Sequence, residues 1–158
     1  MRILVLSDSH GSIGALDRII DKEQSASHIF FLGDLVRDIE NLTYIHRDRH
    51  FHIVSGNCDY FSTYPSFDFA DVGEAKILFS HGHTFSVKQG DTDRLAKFAA
   101  ENGCNIALYG HTHIPDIDYK DGVYIVNPGS VGRSRDGAES YALLDISKSG
   151  VLPQIVRI

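Results

Sequence analysis

Only 2 cysteines occur in 158 residues. Cys58 and Cys104 form no framework, which excludes a disulfide-stapled scaffold and makes a reducing compartment the expectation. No apolar run approaches the length of a membrane span. The short apolar run at the start breaks at Asp8, with no h-region and no small-residue cleavage site, so no signal peptide is expected and the protein reads as cytoplasmic. Positive charge is in deficit, with Lys+Arg 15 against Asp+Glu 21 and a formal net charge of -6. That balance argues against a nucleic-acid coat or an anionic membrane surface as partner. A small phosphate ester stays compatible, because divalent metals would make its site locally positive. Repeats, low-complexity segments and linkers are also missing, so residues 1–158 read as a single domain.

The first half of the chain alternates strand and helix. Ile3-Leu4-Val5-Leu6 is a continuous apolar run, as in a strand buried on both faces. A helix is expected next, with Ser12 as N-cap and Ile13, Leu16, Ile19 and Ile20 on one face. Ile29 to Leu32 reads as a second strand, Asp38 to His46 as a weaker helix and His50 to Val54 as a third strand. This βαβαβ opening implies a parallel sheet.

From Ser66 strands dominate. Phe67 and Phe69 alternate with Asp68 and Ala70, and Gly73-Glu74 turns into the run Ala75 to Phe79. A helix is expected from about Asp91 to Ala100, with Leu95, Phe98 and Ala99 inward and Gly103 past its end. Asp116 to Tyr119 and Val123 to Val126 flank the hairpin turn Asp121-Gly122. Tyr141 to Ile146 and Leu152 to Val156 form a last pair, joined by the turn residues Ser147 to Gly150. The fold class that fits is α/β, with two packed sheets flanked by helices.

Against this background the polar motifs stand at strand ends. Asp8-Ser9-His10, Gly33-Asp34, Gly56-Asn57, His81-Gly82-His83 and Gly110-His111-Thr112-His113 mostly follow directly on an apolar run. Neighbouring strands bring their ends together, so these residues build one polar cluster. Such a cluster at the edge of a core needs a positive centre to be stable. Asp, Asn and His supply oxygen and imidazole ligands suited to borderline divalent ions such as manganese, iron or zinc, and no thiolate is demanded. His111 and His113, like His81 and His83, are alternate residues; an extended segment would point each pair to one side. Two such ions can clamp a phosphoryl group and hold a hydroxide as nucleophile, and a central Asp at a strand end is the natural bridge.

The order Asp-x-His, Gly-Asp, Gly-Asn-x-Asp, His-Gly-His, Gly-His-Thr-His resembles the calcineurin-like metallophosphoesterase superfamily. With Asn127-Pro128-Gly129-Ser130 and the short length, it is similar to the small YfcE-type phosphodiesterase branch. The resemblance implies a four-layer α/β/β/α sandwich of two mixed sheets. It also implies a binuclear metal centre that hydrolyses small phosphodiesters through a metal-bridging hydroxide. One ion would be held by Asp8, His10, Asp34 and His113, the other by Asp34, Asn57, His81 and His111, with Asp34 as bridge. Manganese is the first expectation, with iron, nickel or zinc as alternatives. Asp34, Asn57 and His83 would carry catalysis, and Asn57, Cys58 and His83 would meet the substrate. His83 either moves a proton or only binds phosphate oxygens.

Cys58 is a departure from the larger phosphatases, which carry His at that place as an acid for the leaving oxygen; the YfcE-type branch resembles this chain in having Cys. A thiol is a poor acid, so phosphodiesters and activated aryl esters are expected over alkyl monoesters. Asp59 either orients a neighbouring His or serves a turn. Asn127 to Ser130 read as architecture, and Arg133-Ser134-Arg135 as a solvated loop or as a reach toward phosphate. Tyr60 to Ser66 is either a substrate wall that stacks a base or aryl group, or an edge cover or self-association patch. His28, His46, His50 and His52 receive no role. Nucleic acid is not an expected partner, association with further copies stays open, and the competing function is a non-catalytic metal-binding scaffold resembling the retromer subunit of this fold.

Overall fold

The first apolar run forms strand β1 (Arg2–Leu6), in which Ile3, Leu4, Val5 and Leu6 are all fully buried. A strand buried on both faces needs cover on both, and its alternating side chains divide accordingly. Ile3 and Val5 meet a second sheet, whereas Leu4 and Leu6 meet helices. The computed structural model describes residues 1–158, the side chain of Gln89 excepted.

The elements follow in the order α1 (Ile13–Lys22), β2 (Ala26–Phe31), α2 (Arg37–Ile45), β3 (His50–Ile53), β4 (Phe67–Val72), β5 (Ala75–Ser80), α3 (Asp93–Glu101), β6 (Ile106–Leu108), β7 (Asp116–Lys120), β8 (Val123–Asn127), β9 (Ser140–Ser147) and β10 (Gly150–Arg157). Two five-stranded sheets result, ordered β10-β9-β1-β2-β3 and β4-β5-β6-β8-β7. β1, β2 and β3 are parallel, as are β5, β6 and β8, while β9, β10, β4 and β7 pair antiparallel. Both sheets are therefore mixed.

Between the sheets lies a core that includes Phe30, whose ring meets Phe79 edge-on at 5.0 Å. Truncating so buried a ring to Ala costs about 3–5 kcal/mol. Leu16, Ile19 and Ile20 of α1 and Ile39 and Leu42 of α2 cover the outer face of the first sheet; Leu95, Ala96 and Ala99 of α3 cover that of the second. The layers run α/β/β/α. No helix among the described residues is long and apolar enough to cross a membrane.

Register positions the site. Leu6 pairs with Phe31, Phe31 with Ile53, Phe79 with Leu108 and Leu108 with Val126. The parallel strands of each sheet thus end level, and the loops after β1, β2, β3, β5 and β6 emerge together, where open α/β sheets place their ligands.

Three local expectations are corrected. Ser12 holds the N-cap position of α1 but makes no side-chain cap bond; Asp38 ties this entry instead, accepting Gly11 N–H and Ser9 Oγ–H, each at 2.7 Å. Ile13, expected on the buried face of α1, is exposed, and Leu16, Ile19 and Ile20 carry that face. Phe98 is only partly buried, sharing an aromatic cluster with Phe67, Phe69 and Phe85. The final hairpin, β9 and β10, forms as expected and joins the first sheet beside β1. The hairpin at Asp121-Gly122 forms as expected, with both residues left-handed (φ 53° and 83°).

Candidate metal centre

At the loop end of the sheets six non-glycine residues have positive φ: Asp8 (54°), His10 (44°), Asp34 (59°), Leu35 (75°), His111 (70°) and His113 (61°). Left-handed backbone is uncommon outside glycine and gathers at functional sites. The expectation of extended His pairs is corrected here. The chain bends at both His111 and His113, so the two rings part. His113 goes to Asp8 and His10, with Nε2 at 3.1 Å from Asp8 Oδ1 and 3.3 Å from His10 Nε2. The His111 ring goes to that of His81, with centroids 5.0 Å apart. His83 likewise is not extended: it opens a 3-10 turn after left-handed Gly82, its ring 5.4 Å from that of His81.

Two groups result, and they share Asp34. In the first, ligand atoms of Asp8, His10, Asp34 and His113 all lie within 4.8 Å of one another. In the second, His81 Nε2 lies 3.1 Å from Asn57 Oδ1 and 3.4 Å from Asp34 Oδ1, with His111 beside it. Asp34 turns Oδ1 toward His81 and Oδ2 toward His10, the latter at 3.7 Å. All seven residues proposed as ligands from sequence are thus brought to one place.

The donor set fits cations. His113 Nδ1 donates to Arg133 O at 2.6 Å, and His81 Nδ1 donates to Leu32 O at 2.7 Å. Carbonyls only accept, so Nδ1 of each ring carries a proton, and Nε2, whose lone pair is open to a cation wherever no second proton occupies it, points into the cluster. There those lone pairs face Asp8 Oδ1 and Asn57 Oδ1, which are acceptors too. Asp8 Oδ1 is fully buried and accepts no well-formed hydrogen bond. Lone pair against lone pair is repulsive unless a cation lies between. The His10–His113 nitrogen separation of 3.3 Å is that of two imidazoles converging on one tetrahedral ion at about 2.0–2.1 Å.

Protonation states agree. Burial and the neighbouring His81 push His111 down to about 4, and burial lowers His10 and His83, so all three are neutral at pH 7. The Asp8 carboxylate raises His113, a proton taking the place of a cation. Burial works against ionisation of Asp8, but His113, His81 and Ser7 together hold its carboxyl below the usual range.

Close packing leaves no room at two glycines. A Cβ on Gly56 would collide with Asp34 Oδ1, and one on Gly110 with Ser7 Oγ and, at 2.8 Å, Asp8 Oδ2. The surrounding bonds fix the ligands. Asp8 Oδ2 accepts from Ser7 Oγ at 2.6 Å and from His111 N at 3.1 Å. Asn127 Nδ2 donates to Gly110 O and Thr112 Oγ1, and Ser130 Oγ to Asp8 O, the architectural role expected for this segment. Arg135 and Arg133 meet the site through backbone, Arg135 N donating to His113 O; both side chains are exposed.

Two residues matter more than sequence indicated. Asp59 accepts four backbone N–H groups, from Asp34, Leu35, Val36 and Gly56. Asp38, in α2, pins the loop after β1. A signal existed for Asp59, the second acid of Gly-Asn-x-Asp; nothing marked Asp38 among helix-surface acids. Cys58 donates N–H to Asp34 Oδ1 at 3.0 Å, and its thiol lies 3.3 Å from Oδ2. His83 Nδ1 is buried without a partner. Away from the site, His46 joins α2 to Asp17 of α1 at 3.0 Å, and His28, His50 and His52 stack together on the inner face of β2 and β3.

Comparison with known proteins agrees with this geometry. Residues 1–149 match the calcineurin-like phosphoesterase superfamily domain. The chain is 30% identical over 153 residues to the probable metallophosphoesterase YsnB of Bacillus subtilis, covering 92% of this chain and 85% of that one. It is 26% identical over 172 residues to the phosphodiesterase YfcE of Escherichia coli K12, covering 92% and 88%. The crystal structure of a conserved uncharacterised protein of Streptococcus pneumoniae TIGR4, a predicted phosphoesterase, superposes with TM-score 0.86 at 28% identity, covering 99% and 88%.

Proposed function

Because the chain belongs to the calcineurin-like phosphoesterase superfamily, we propose that it is a metal-dependent phosphodiesterase acting on small phosphodiesters, with two divalent cations, manganese first, bound by the seven residues above. The observation that carries this reading is the aim of the His113 and His81 lone pairs at acceptor oxygens on either side of Asp34. Bound ions would supply Lewis acidity toward a phosphoryl oxygen and a nucleophile at neutral pH.

The chain's own residues do the rest. Asp34, with one oxygen toward each group, bridges them. Exposed Asn57 offers Oδ1 to the second group and keeps its amide N–H for a substrate oxygen. His83, neutral at pH 7 and with Nδ1 buried, would donate its Nε2–H to the phosphoryl group. Cys58 keeps its proton, since burial and then Asp34 push its thiol up to about 11. It therefore donates weakly to Asp34 and is too weak an acid to assist an alkoxide leaving group, which favours diesters and aryl esters. The net charge of -6 works against nucleic acid as substrate.

A binding scaffold of the same fold is the competing reading, and one experiment separates the two. Metal-stripped protein is assayed with bis(p-nitrophenyl) phosphate and p-nitrophenyl phosphate after adding back Mn, Fe, Ni, Zn or Mg, with Asp34→Asn alongside. Diester cleavage that returns with metal and vanishes in the variant is expected. Two bound ions per chain without turnover would replace the enzyme by the scaffold.

A further inference from the structure

We propose that the cleft beside Cys58 is a subsite for one aromatic ester arm of the substrate, an aryl ring or a nucleobase. This rests on the phosphodiesterase reading and extends it to substrate class. The cleft has a volume of about 310 Å³ and is lined among others by Val36, Arg37, Glu40, Cys58, Tyr60 and Phe61. It adjoins the metal centre directly, because Cys58 belongs to both: its Sγ is 3.3 Å from Asp34 Oδ2. A phosphoryl group held between the two His groups therefore sends one ester arm past Cys58 into this space.

Three features select an aromatic arm. Tyr60 and Phe61 present their rings to solvent, 86% and 101% exposed. Two adjacent large aromatic side chains left open offer a stacking face that suits any flat ring. The turn that carries them is tied by hydrogen bonds: Ser62 N donates to Asp59 O, Tyr64 N to Ser62 Oγ and Ser55 Oγ to Tyr64 O, while Tyr64 itself packs inward. Asp59 also accepts from Asp34 N and Gly56 N, so the aromatic turn and the metal-ligand loops share one anchor. Finally, Arg37 and Glu40 line the opposite wall from α2, and among the described residues neither makes an ion pair. An unpaired guanidinium and an unpaired carboxylate provide donors and acceptors for the edge of a base, and the guanidinium plane can also lie against its face.

The test is calorimetric titration of manganese-loaded protein with phenylphosphonate and with methylphosphonate, which share the phosphoryl group, differ in the arm and carry no ester bond to hydrolyse. Phenylphosphonate is expected to bind roughly tenfold more tightly, as one stacked ring contributes. In Phe61→Ala and in Tyr60→Ala with Phe61→Ala together, the preference should fall toward unity; both side chains are exposed, so folding is not at risk. Equal binding of the two ligands by the wild-type protein overturns the subsite and leaves the phosphodiesterase standing. So does a preference that survives the double substitution. A dimer that the double variant converts to monomer, with the preference unchanged, would assign the aromatic pair to contact with a second copy. Binding of neither ligand, with no diester turnover, overturns the phosphodiesterase reading and the subsite with it.

Discussion

The carboxylate of Asp59 accepts the backbone N–H of Asp34 at 3.0 Å, so a residue of the loop after β3 holds in place the residue that bridges the two ligand groups. The same carboxylate takes the N–H groups of Leu35 and Val36 at the start of α2 and of Gly56 in its own loop. Asp59→Ala leaves these donors without a partner, and a loss of about 2–4 kcal/mol is expected, with weaker metal retention. Asp59→Asn, which keeps one acceptor oxygen, should lose less. Urea denaturation together with metal content of the purified variants checks both. An Asp59→Ala protein as stable as wild type would show that water replaces the carboxylate.

Gly110 sits against Ser7 and Asp8, with no room for a side chain. Gly110→Ala crowds Ser7 Oγ first and Asp8 Oδ2 next, and since the two are hydrogen-bonded, Asp8 is expected to shift from His113 and His111 and metal affinity to fall by at least tenfold. The sheets beneath are untouched, so circular dichroism should stay that of wild type. Equilibrium dialysis against manganese reads the effect; unchanged affinity would mean that Ser7 gives way instead of Asp8.

Cys58, pushed up to about 11 by burial and by the hydrogen bond to Asp34, is largely protonated at pH 8. Its thiolate fraction there is about a hundredfold below that of a free cysteine, so alkylation of the metal-stripped protein should be slower by a similar factor. Asp34→Asn removes the second cause and should speed it. In the metal-loaded enzyme, Cys58→His introduces an acid that titrates near neutrality, and monoester turnover is expected to rise relative to diester. An unchanged ratio would mean that the residue at this position does not protonate the leaving group.

His52 carries a pH dependence that sequence did not suggest. Its ring stacks on Phe30 at 4.3 Å and accepts or donates at 3.0 Å with His28. Burial, then His28 and His50, push it down to about 4 against the opposing pull of Asp68. The unfolded chain takes up a proton near pH 6.5 that the folded state refuses until about pH 4. Stability is therefore complete above pH 6.5 and falls as the pH drops toward 4, by up to about 1.4 kcal/mol per unit from this group. In His52→Phe the slope of the urea midpoint over this range should flatten. A slope that stays the same assigns it to other groups.

Much of this molecule was legible in its sequence because apolar runs and ligand motifs alternate. Ile3 to Leu6, Ile29 to Leu32 and Ile77 to Phe79 are continuous enough to be read as buried strands, and the polar residue after each marks a strand end. What was not legible depends on contacts far apart in the chain. Asp38 and Ser9, bonded at 2.7 Å, are 29 residues apart, and an acid on a helix carries no local sign of such a partner. The return of β9 beside β1 joins Leu4 to Leu143, and no period in either segment announces it. His111 and His113 were assigned to the right cluster for the wrong geometric reason, since alternation assumes an extended chain and these residues are left-handed.

Those left-handed residues have a further consequence. Asp8, His10, Asp34, Leu35, His111 and His113 each hold a backbone conformation that costs about 1 kcal/mol or more. Together they rival the net stability of an ordinary domain, roughly 5–15 kcal/mol. The loops that carry them are thus the part of the chain with the most to gain by opening when nothing positive holds them. In ion-free protein, amide hydrogens after β1, β2 and β6 should exchange through local opening while those within the sheets wait for global unfolding. Added cation should close that gap, so that its binding is registered first as the freezing of three turns.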